Sequence, residues 1–169
     1  MSATISSINY CPVKSVSFQS IKKCQIKKNI GIIGDRIFAF VKDLDLDQAK
    51  LFEKSTKERK GKWNKVLTLK NSPALNKYNF VFKEEKLTLT LRNKEILTID
   101  VNQLSERQTL SKKITDLESS LKQPVVLLSN KDFPFFDTSI SKKINFVNSV
   151  SLLNIQSIND FQNKIEKKI

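Results

Sequence analysis

Two short polar signatures near the start of the chain contain the side chains best suited to chemistry. The first, Tyr10–Ser15, reads YCPVKS, so that a rigid proline precedes a cation and a hydroxyl. The second, Gly34–Arg36, places an arginine directly after a Gly-Asp turn. A lysine charge, a hydroxyl donor and an arginine fork together complement an anion such as a phosphate. If the fold brings the two segments together, Lys14, Ser15 and Arg36 form an anion-binding corner.

The same residues also have an ordinary structural interpretation. Lys14 and Arg36 are then surface charges, or Arg36 forms a salt bridge with Asp35, its neighbour in the sequence. An exposed pair of this kind contributes little to stability and has no function of its own.

Apolar segments flank both signatures and are expected to position them. Ile5–Tyr10 predicts a first strand that ends at the proline, and residues 16–18 and 24–26 predict two more short strands. Gly31 and Gly34 are two of only three glycines in the chain, which indicates a backbone with unusual dihedral angles. Arg36–Val41 is apolar on both faces, as is typical of a buried strand.

The second half of the chain predicts a regular sheet and a helix. Tyr78–Phe82, Leu87–Leu91 and Ile96–Asp100 alternate apolar and polar residues, which predicts a three-stranded antiparallel meander with one buried face. Ser105–Lys122 predicts an amphipathic helix, and Val125–Leu128 predicts another buried strand. Short strands dominate. The predicted fold class is therefore mainly β (α+β), an antiparallel β-barrel-like domain with one main amphipathic helix.

Other segments give further expectations. Residues 47–57 predict a short helix and residues 66–69 a strand, while Trp63 is expected to anchor the core. The aromatic run Phe133–Phe136 is either a plug that caps one end of the barrel or a docking surface. Val150–Leu153 predicts a last strand. Ser157 is then expected to be the N-cap of a C-terminal helix whose apolar stripe is Ile158, Phe161 and Ile165.

Composition excludes several kinds of site. The chain has 169 residues, two cysteines and no histidine, which rules out Cys/His zinc sites and a histidine general base. It has no apolar run near the roughly 20 residues that span a bilayer, and no N-terminal signal pattern. We therefore expect a cytoplasmic protein without a membrane partner.

The net charge of +13 suggests nucleic acid as a partner, but the kind of cation argues against it. Of the 30 basic residues only four are arginine: Arg36, Arg59, Arg92 and Arg107. Recognition of bases and phosphates favours arginine because its fork binds two acceptors at once. A solvated lysine-rich surface explains the charge better.

The two signatures together resemble a known family. Tyr-x-Pro-Val-Lys-Ser, followed by Gly-x-x-Gly-Asp-Arg leading into an apolar strand, resembles the N-terminal β-barrel domain of MOSC proteins. That family is named after the C-terminal part of molybdenum-cofactor sulfurase and includes the amidoxime-reducing molybdoenzymes. The segment from Asn148 to Ile158 is similar to the start of the MOSC domain proper. The resemblance covers residues 5–165 and implies a β-barrel domain at 1–130, followed at 131–169 by a linker and the truncated start of the MOSC domain.

The resemblance also implies site residues. In members that bind the molybdenum cofactor, the Lys and Ser of Pro-Val-Lys-Ser and the Arg of Asp-Arg contact its phosphate and pterin. By similarity, Lys14, Ser15 and Arg36 bind molybdopterin here, and Ser157 matches a further polar contact. The resemblance assigns no catalytic residue and no metal ligand within the chain.

The chain departs from the family after its last helix. Family members continue with an Arg-Phe-Arg-x-Asn segment and with the cysteine that ligates molybdenum, and neither Cys11 nor Cys24 occupies that position. The expectation is a truncated, split or frameshifted MOSC protein that lacks the catalytic part. The parent activity would be reduction of N-hydroxylated compounds or sulfur transfer. The expected partners are the pterin cofactor and a separately encoded C-terminal half or an electron-transfer protein.

Two alternatives belong to other functional classes. One is a small basic β-barrel that binds nucleic acid through its lysine-rich face, with Phe133, Phe135 and Phe136 as stacking platforms. The other is an interaction module that pairs in trans with a separately encoded MOSC half through the apolar stripe of its last helix.

Overall fold

The computed structural model describes residues 4–28, 30–136 and 155–166. Their strands are β1 (Ile8–Tyr10), β2 (Gln19–Ile21), β3 (Ile26–Lys27), β4 (Gly31–Ile32), β5 (Phe38–Lys42), β6 (Tyr78–Lys83), β7 (Lys86–Leu91), β8 (Lys94–Asp100) and β9 (Val125–Ser129). Their α-helices are α1 (Leu46–Lys54), α2 (Thr56–Arg59), α3 (Leu104–Leu117) and α4 (Ile155–Glu166). Across these ranges, no helix has the length and apolar character needed to cross a bilayer.

The strands pair antiparallel in four small sheets: β1 with β2, β3 with β4, β5 with β9, and β6-β7-β8. Within the described ranges the strands do not close into one continuous barrel. The predicted class, mainly β with a few helices, is confirmed.

The β6-β7-β8 meander follows from the alternation in its sequence. Tyr78 pairs with Leu91, and Leu87 pairs with Ile99. Every second side chain is buried, because one face of the sheet covers the core and the other meets water. Both hairpin turns, residues 84–85 and 92–93, have positive φ at their two central residues, the combination of primed two-residue turns.

The β5–β9 pair lies between two hydrophobic clusters and is buried on both faces, as predicted for the fifth strand. Phe38 and Phe40 contribute to the larger cluster, which contains the inner face of the meander and of α3. Ala39 and Val41 contribute to the smaller cluster with Phe52 of α1. Since successive strand residues point to opposite faces, an apolar residue at every position is what this location requires.

Helix α1 starts at a reciprocal cap. The Asp45 carboxylate accepts from the Gln48 backbone N–H at 2.8 Å, and the Gln48 side chain accepts from the Asp45 N–H. The predicted helix over 47–57 is two pieces instead, because Ser55 between α1 and α2 has an extended backbone. Trp63 packs its ring 6.3 Å from that of Phe52, in agreement with its expected role as a core anchor.

The aromatic run after β9 is fixed by a buried arginine. Phe135 and Phe136 are buried, whereas Phe133 is exposed. The Arg59 guanidinium lies 4.1 Å from the Phe135 ring centroid and donates to the backbone oxygens of Phe133 and Pro134. It also donates to the oxygens of residues 52 and 53 in α1. This part of the run therefore belongs to the core, as the plug interpretation expected.

Two strand predictions are wrong. Residues 16–18 are not a strand, and pairing with β1 begins only at Gln19. Residues 66–69 form only an isolated bridge between Val66 and Val41. From Thr68 the chain enters a turn instead, in which the Thr68 N–H donates to the Asn71 side chain.

The helix limits also differ from prediction. Helix α3 stops at Leu117, five residues before the predicted end. Ser157 is not an N-cap, because α4 already begins at Ile155. The predicted strand Val150–Leu153 lies outside the described residues.

Candidate functional site

The two signatures lie side by side in the fold. The Lys14 N–H donates to the Phe38 oxygen at 2.8 Å, and the Phe38 N–H donates to the Pro12 oxygen at 3.0 Å. Two residues before Phe38, the Arg36 N–H donates to the Cys11 oxygen. The Cys11 N–H in turn donates to Asp35 Oδ1 at 2.9 Å. The start of β5 therefore fixes the first signature against the second through the backbone.

Ser15 and Arg36 both have a left-handed backbone. Their φ angles are +57° and +54°, a region that residues with a β-carbon enter at a cost. Ser15 belongs to a tight turn in which the Val16 N–H donates to the Val13 oxygen. Non-glycine residues held in this region cluster at functional sites, because the surrounding structure must impose the conformation.

Lys14 is a buried cation. Its side chain belongs to a residue that is only 6% exposed, and Nζ lies 5.5 Å from the centroid of the Trp63 ring. An aromatic face attracts an ammonium group, more strongly when water is excluded. The lysine is therefore held in place by packing before any ligand arrives.

Lys14 and Ser15 line a common cleft of about 410 Å³. Part of its wall comes from residues 68–70, so that a second cation, Lys70, and a second hydroxyl, Thr68, face the same space. The charged residues of the lining are both positive. The remaining lining residues are Cys11, Val16, Ser17, Phe18 and Leu69.

The contribution of residues 68–70 was missed from the sequence because this segment was interpreted as a strand. The sequence Asn71-Ser72-Pro73 predicts a turn directly after this segment, but the turn begins earlier, since the Asn71 N–H donates to the Thr68 oxygen. Residues 68–71 form this turn, so Thr68 and Lys70 line the cleft and do not belong to a strand.

Arg36 takes a different position from Lys14 and Ser15. It is not among the residues that line the cleft. Its Nε lies 3.7 Å from Asp35 Oδ2, and its guanidinium lies 5.2 Å from the Phe136 ring centroid. The fold thus brings Lys14 and Ser15 into one cleft and Arg36 onto the adjoining turn, in the salt bridge that was the alternative interpretation.

Cys11 is unsuited to hold a metal. Its Sγ is buried and donates to the Val13 oxygen at 2.8 Å, and burial raises the pKa of the thiol above its ordinary value. Metal ligation requires the thiolate, which this environment disfavours. Across residues 4–28, 30–136 and 155–166, no three His, Cys, Asp or Glu side chains form a group that could hold a metal ion. Ser157 lies on the exposed surface of α4.

Comparison with known proteins gives one match. The model of a family described as the MOSC N-terminal beta barrel domain matches residues 2–124. No curated protein matches the sequence. No solved structure matches it either.

Proposed function

The chain belongs to the family of the MOSC N-terminal beta barrel domain, and from that membership we propose that its cleft binds the phosphate end of a pterin molybdenum cofactor. The observation that carries the proposal is the shared cleft of Lys14 and Ser15, into which Lys70 adds a second positive charge. A terminal phosphate needs cations and hydroxyl donors, and both kinds of group face this space.

Each residue has a distinct role in this proposal. The Lys14 ammonium, held beside the Trp63 ring, balances the phosphate charge without a large change of position. The Ser15 hydroxyl donates to a phosphate oxygen. Arg36 contacts the part of the ligand that extends beyond the cleft, because its guanidinium is about one third exposed. Ser157 of α4 is proposed as a further polar contact on the same ligand.

The donor groups fit the phosphate end of the cofactor and not its metal end. Lys14, Ser15, Thr68 and Lys70 supply cations and hydroxyls, whereas the described residues supply no cluster of metal ligands. When bound in a whole MOSC protein, the molybdenum centre supplies the redox or sulfur-transfer chemistry. We therefore propose that this domain binds and orients the cofactor, and that the metal's protein ligand comes from a MOSC segment outside the described residues or on a partner chain.

Phosphate binding tests the cleft directly. We expect inorganic phosphate to bind the wild-type protein, and Lys14→Met to weaken that binding about tenfold or more, since a charge-assisted contact is worth roughly 1.5–3 kcal/mol. Ser15→Gly removes the hydroxyl but suits the left-handed backbone, so a weaker affinity in that variant does not reflect misfolding. Calorimetric titration measures both.

Lys60→Gln is the matched control, because it removes an exposed lysine that does not line the cleft. Equal affinity in wild type and Lys14→Met would overturn the proposal.

The cofactor itself is tested by expression in a host that makes it, followed by pterin fluorescence of the purified protein. We expect pterin with wild type and much less with Lys14→Met. No pterin in either would contradict cofactor binding.

A further inference from the structure

A small hairpin next to the site presents both apolar and basic side chains. In this hairpin, residues 22–33, Ile26 pairs with Ile32 and Lys27 pairs with Gly31. The Ile30 N–H closes the turn on the Lys27 oxygen at 3.1 Å. We call this segment the basic hairpin.

Large aliphatic side chains are exposed on and beside the basic hairpin. Ile26 is 68% exposed and Ile33 is 51% exposed. Ile5 is 72% exposed, and it lies at the same end of the β1–β2 pair as Lys22, because Ile8 pairs with Ile21. Ile26 and Ile33 lie on opposite faces of this narrow hairpin, because the Ile33 N–H donates to the oxygen of Gln25, the neighbour of Ile26. The hairpin therefore exposes apolar area on both faces, more than a single exposed residue would.

The charged residues of the basic hairpin itself are all lysines. Lys22, Lys23, Lys27 and Lys28 are all exposed. Residues 1–34 contain five lysines and no aspartate or glutamate, and the first acid of the chain is Asp35. The partner of this surface must therefore be both anionic and able to receive aliphatic side chains.

We propose that the basic hairpin binds the surface of an anionic lipid bilayer. Lysines near such a surface gain from its negative potential, and aliphatic side chains gain by entering the boundary between headgroups and acyl chains. The long lysine stems allow the ammonium groups to stay among the headgroups while the isoleucines enter. Nucleic acid is a poorer fit, because residues 22–33 contain neither arginine nor an aromatic side chain.

This inference goes beyond the proposed cofactor function and does not depend on it. It also revises the expectation of no membrane partner, which was drawn from the lack of a spanning segment. A protein without such a segment can still lie on a bilayer through basic and apolar side chains.

Co-sedimentation of the full chain with vesicles tests the proposal. We expect binding to vesicles that combine phosphatidylserine with phosphatidylcholine, little binding to phosphatidylcholine alone, and weaker binding as salt rises. Changing Lys22, Lys23, Lys27 and Lys28 to Gln should lower the affinity on the order of 1,000-fold, since each lysine near the surface contributes about 1 kcal/mol. Changing Ile26 and Ile33 to Ser should lower it about tenfold.

Matched controls lie outside the basic hairpin. Leu51 and Leu104 are 57% and 53% exposed, so their change to Ser removes similar apolar area elsewhere. Four other exposed lysines supply the charge control, changed together to Gln: Lys54, Lys57, Lys60 and Lys86. Far-UV circular dichroism verifies that each variant is folded.

The outcomes separate lipid from other partners. Loss of vesicle binding in the hairpin variants but not in the controls supports the proposal. Equal loss in the controls would show a general charge effect and overturns it. Binding to single-stranded DNA that needs the lysines but not the isoleucines, without vesicle binding, also overturns it in favour of a nucleic-acid surface.

Discussion

Ser15 and Arg36 take backbone conformations that a glycine would adopt more easily. Each such conformation costs on the order of 1 kcal/mol or more. The hydrogen bonds around them, from the Arg36 N–H to the Cys11 oxygen and from the Val16 N–H to the Val13 oxygen, offset that cost. These hydrogen bonds fix the backbone of both residues, and so the positions from which their side chains extend.

The Gly34 turn allows a prediction about stability from a single residue. Gly34 has φ of +91°, and an added β-carbon would lie 3.2 Å from the Tyr10 ring. Gly61 has φ of +76° and open space around it. We expect Gly34→Ala to lower the free energy of unfolding by about 2 kcal/mol and Gly61→Ala by about 1 kcal/mol. Urea denaturation measures both, and equal losses would show that the Tyr10 contact does not matter.

Part of this backbone could be predicted from the sequence and part could not. Two glycines three positions apart in a glycine-poor chain indicated unusual dihedrals, and both Gly31 and Gly34 have positive φ. Ser15 and Arg36 gave no such signal, because neither serine nor arginine is a residue type that favours positive φ. Only the hydrogen bonds between the two signatures impose their conformation, and those bonds depend on tertiary structure.

At the scale of elements, Arg59 of α2 joins the end of the preceding helix, α1, to the aromatic run after β9, which is distant in sequence. Its guanidinium donates to oxygens of Phe52 and Glu53 at the end of α1, and to oxygens of Phe133 and Pro134. Burial lowers its pKa to about 10, so it stays charged at neutral pH. The planar fork is what allows one side chain to satisfy four carbonyl groups.

Arg59→Lys should therefore be strongly destabilising although it keeps the charge. A lysine cannot reach four acceptors in one plane, and buried carbonyl groups would lose their partners. We expect a loss of about 2–4 kcal/mol in the free energy of unfolding, measured with urea. Lys60→Gln, at the neighbouring exposed position, should change stability little. A loss under about 0.5 kcal/mol in Arg59→Lys would show that water or other donors replace the guanidinium.

The end of α3 carries a pH-dependent contact. Glu118 is buried, and its carboxylate lies 2.7 Å from Lys77 Nζ and accepts from the Ser120 hydroxyl. The close contact with the Lys77 ammonium, followed by the hydrogen bonds from Ser120, lowers the pKa of Glu118 from 4.5 to about 2. Because the folded state holds the carboxylate charged, this stabilisation is present above pH 4.5 and is lost as the pH falls toward 2.

Comparison with Glu118→Gln isolates this effect from the other carboxylates. We expect the variant to be less stable than wild type by about 1–3 kcal/mol at pH 6. The difference should shrink between pH 4.5 and about 2. Urea midpoints across that range measure it. A difference that does not change with pH would show that the contact depends on shape and not on charge.

Elements with one buried face were predicted well, and elements defined by tertiary contacts were not. The meander could be predicted because water on one face and core on the other impose alternation along β6, β7 and β8. Residues 66–69 are equally apolar, yet Val66 and Leu67 are buried by packing and their neighbours enter a turn. The local pattern of apolar residues does not distinguish a segment that is buried as a paired strand from one that is buried by packing alone.

At the scale of the whole molecule, two clusters share one strand pair. The buried members of both clusters, among the described residues, lie between Val13 and Phe135. A protein of residues 1–140 should therefore keep the cooperative unfolding and the free energy of unfolding of the full chain within about 1 kcal/mol. Denaturation followed by circular dichroism and by Trp63 fluorescence measures it. A broad or much weaker transition would show that later residues contribute to the core.

The sequence indicated the fold class of this molecule but not which of its strands pair with each other. Strand content and alternation follow from local composition, and the predicted class is confirmed. The pairing of the sheets depends on which strands meet across long separations, and β5 with β9 is the pair that divides the two clusters. No local signal in residues 38–42 identifies residues 125–129 as their partner, apart from a shared apolar character.

The β5–β9 pair also has a consequence for biogenesis. The ribosome makes β5 early, but its only strand-length partner in the described chain is completed at Ser129. Until then the nascent chain exposes Phe38, Phe40 and their apolar neighbours, together with the unpaired backbone of a strand edge. The Lys14 cleft rests on that strand through the Phe38 backbone. The cleft can therefore form only after most of the domain has left the exit tunnel, and a stall in synthesis before residue 129 would leave an aggregation-prone intermediate without a formed cleft.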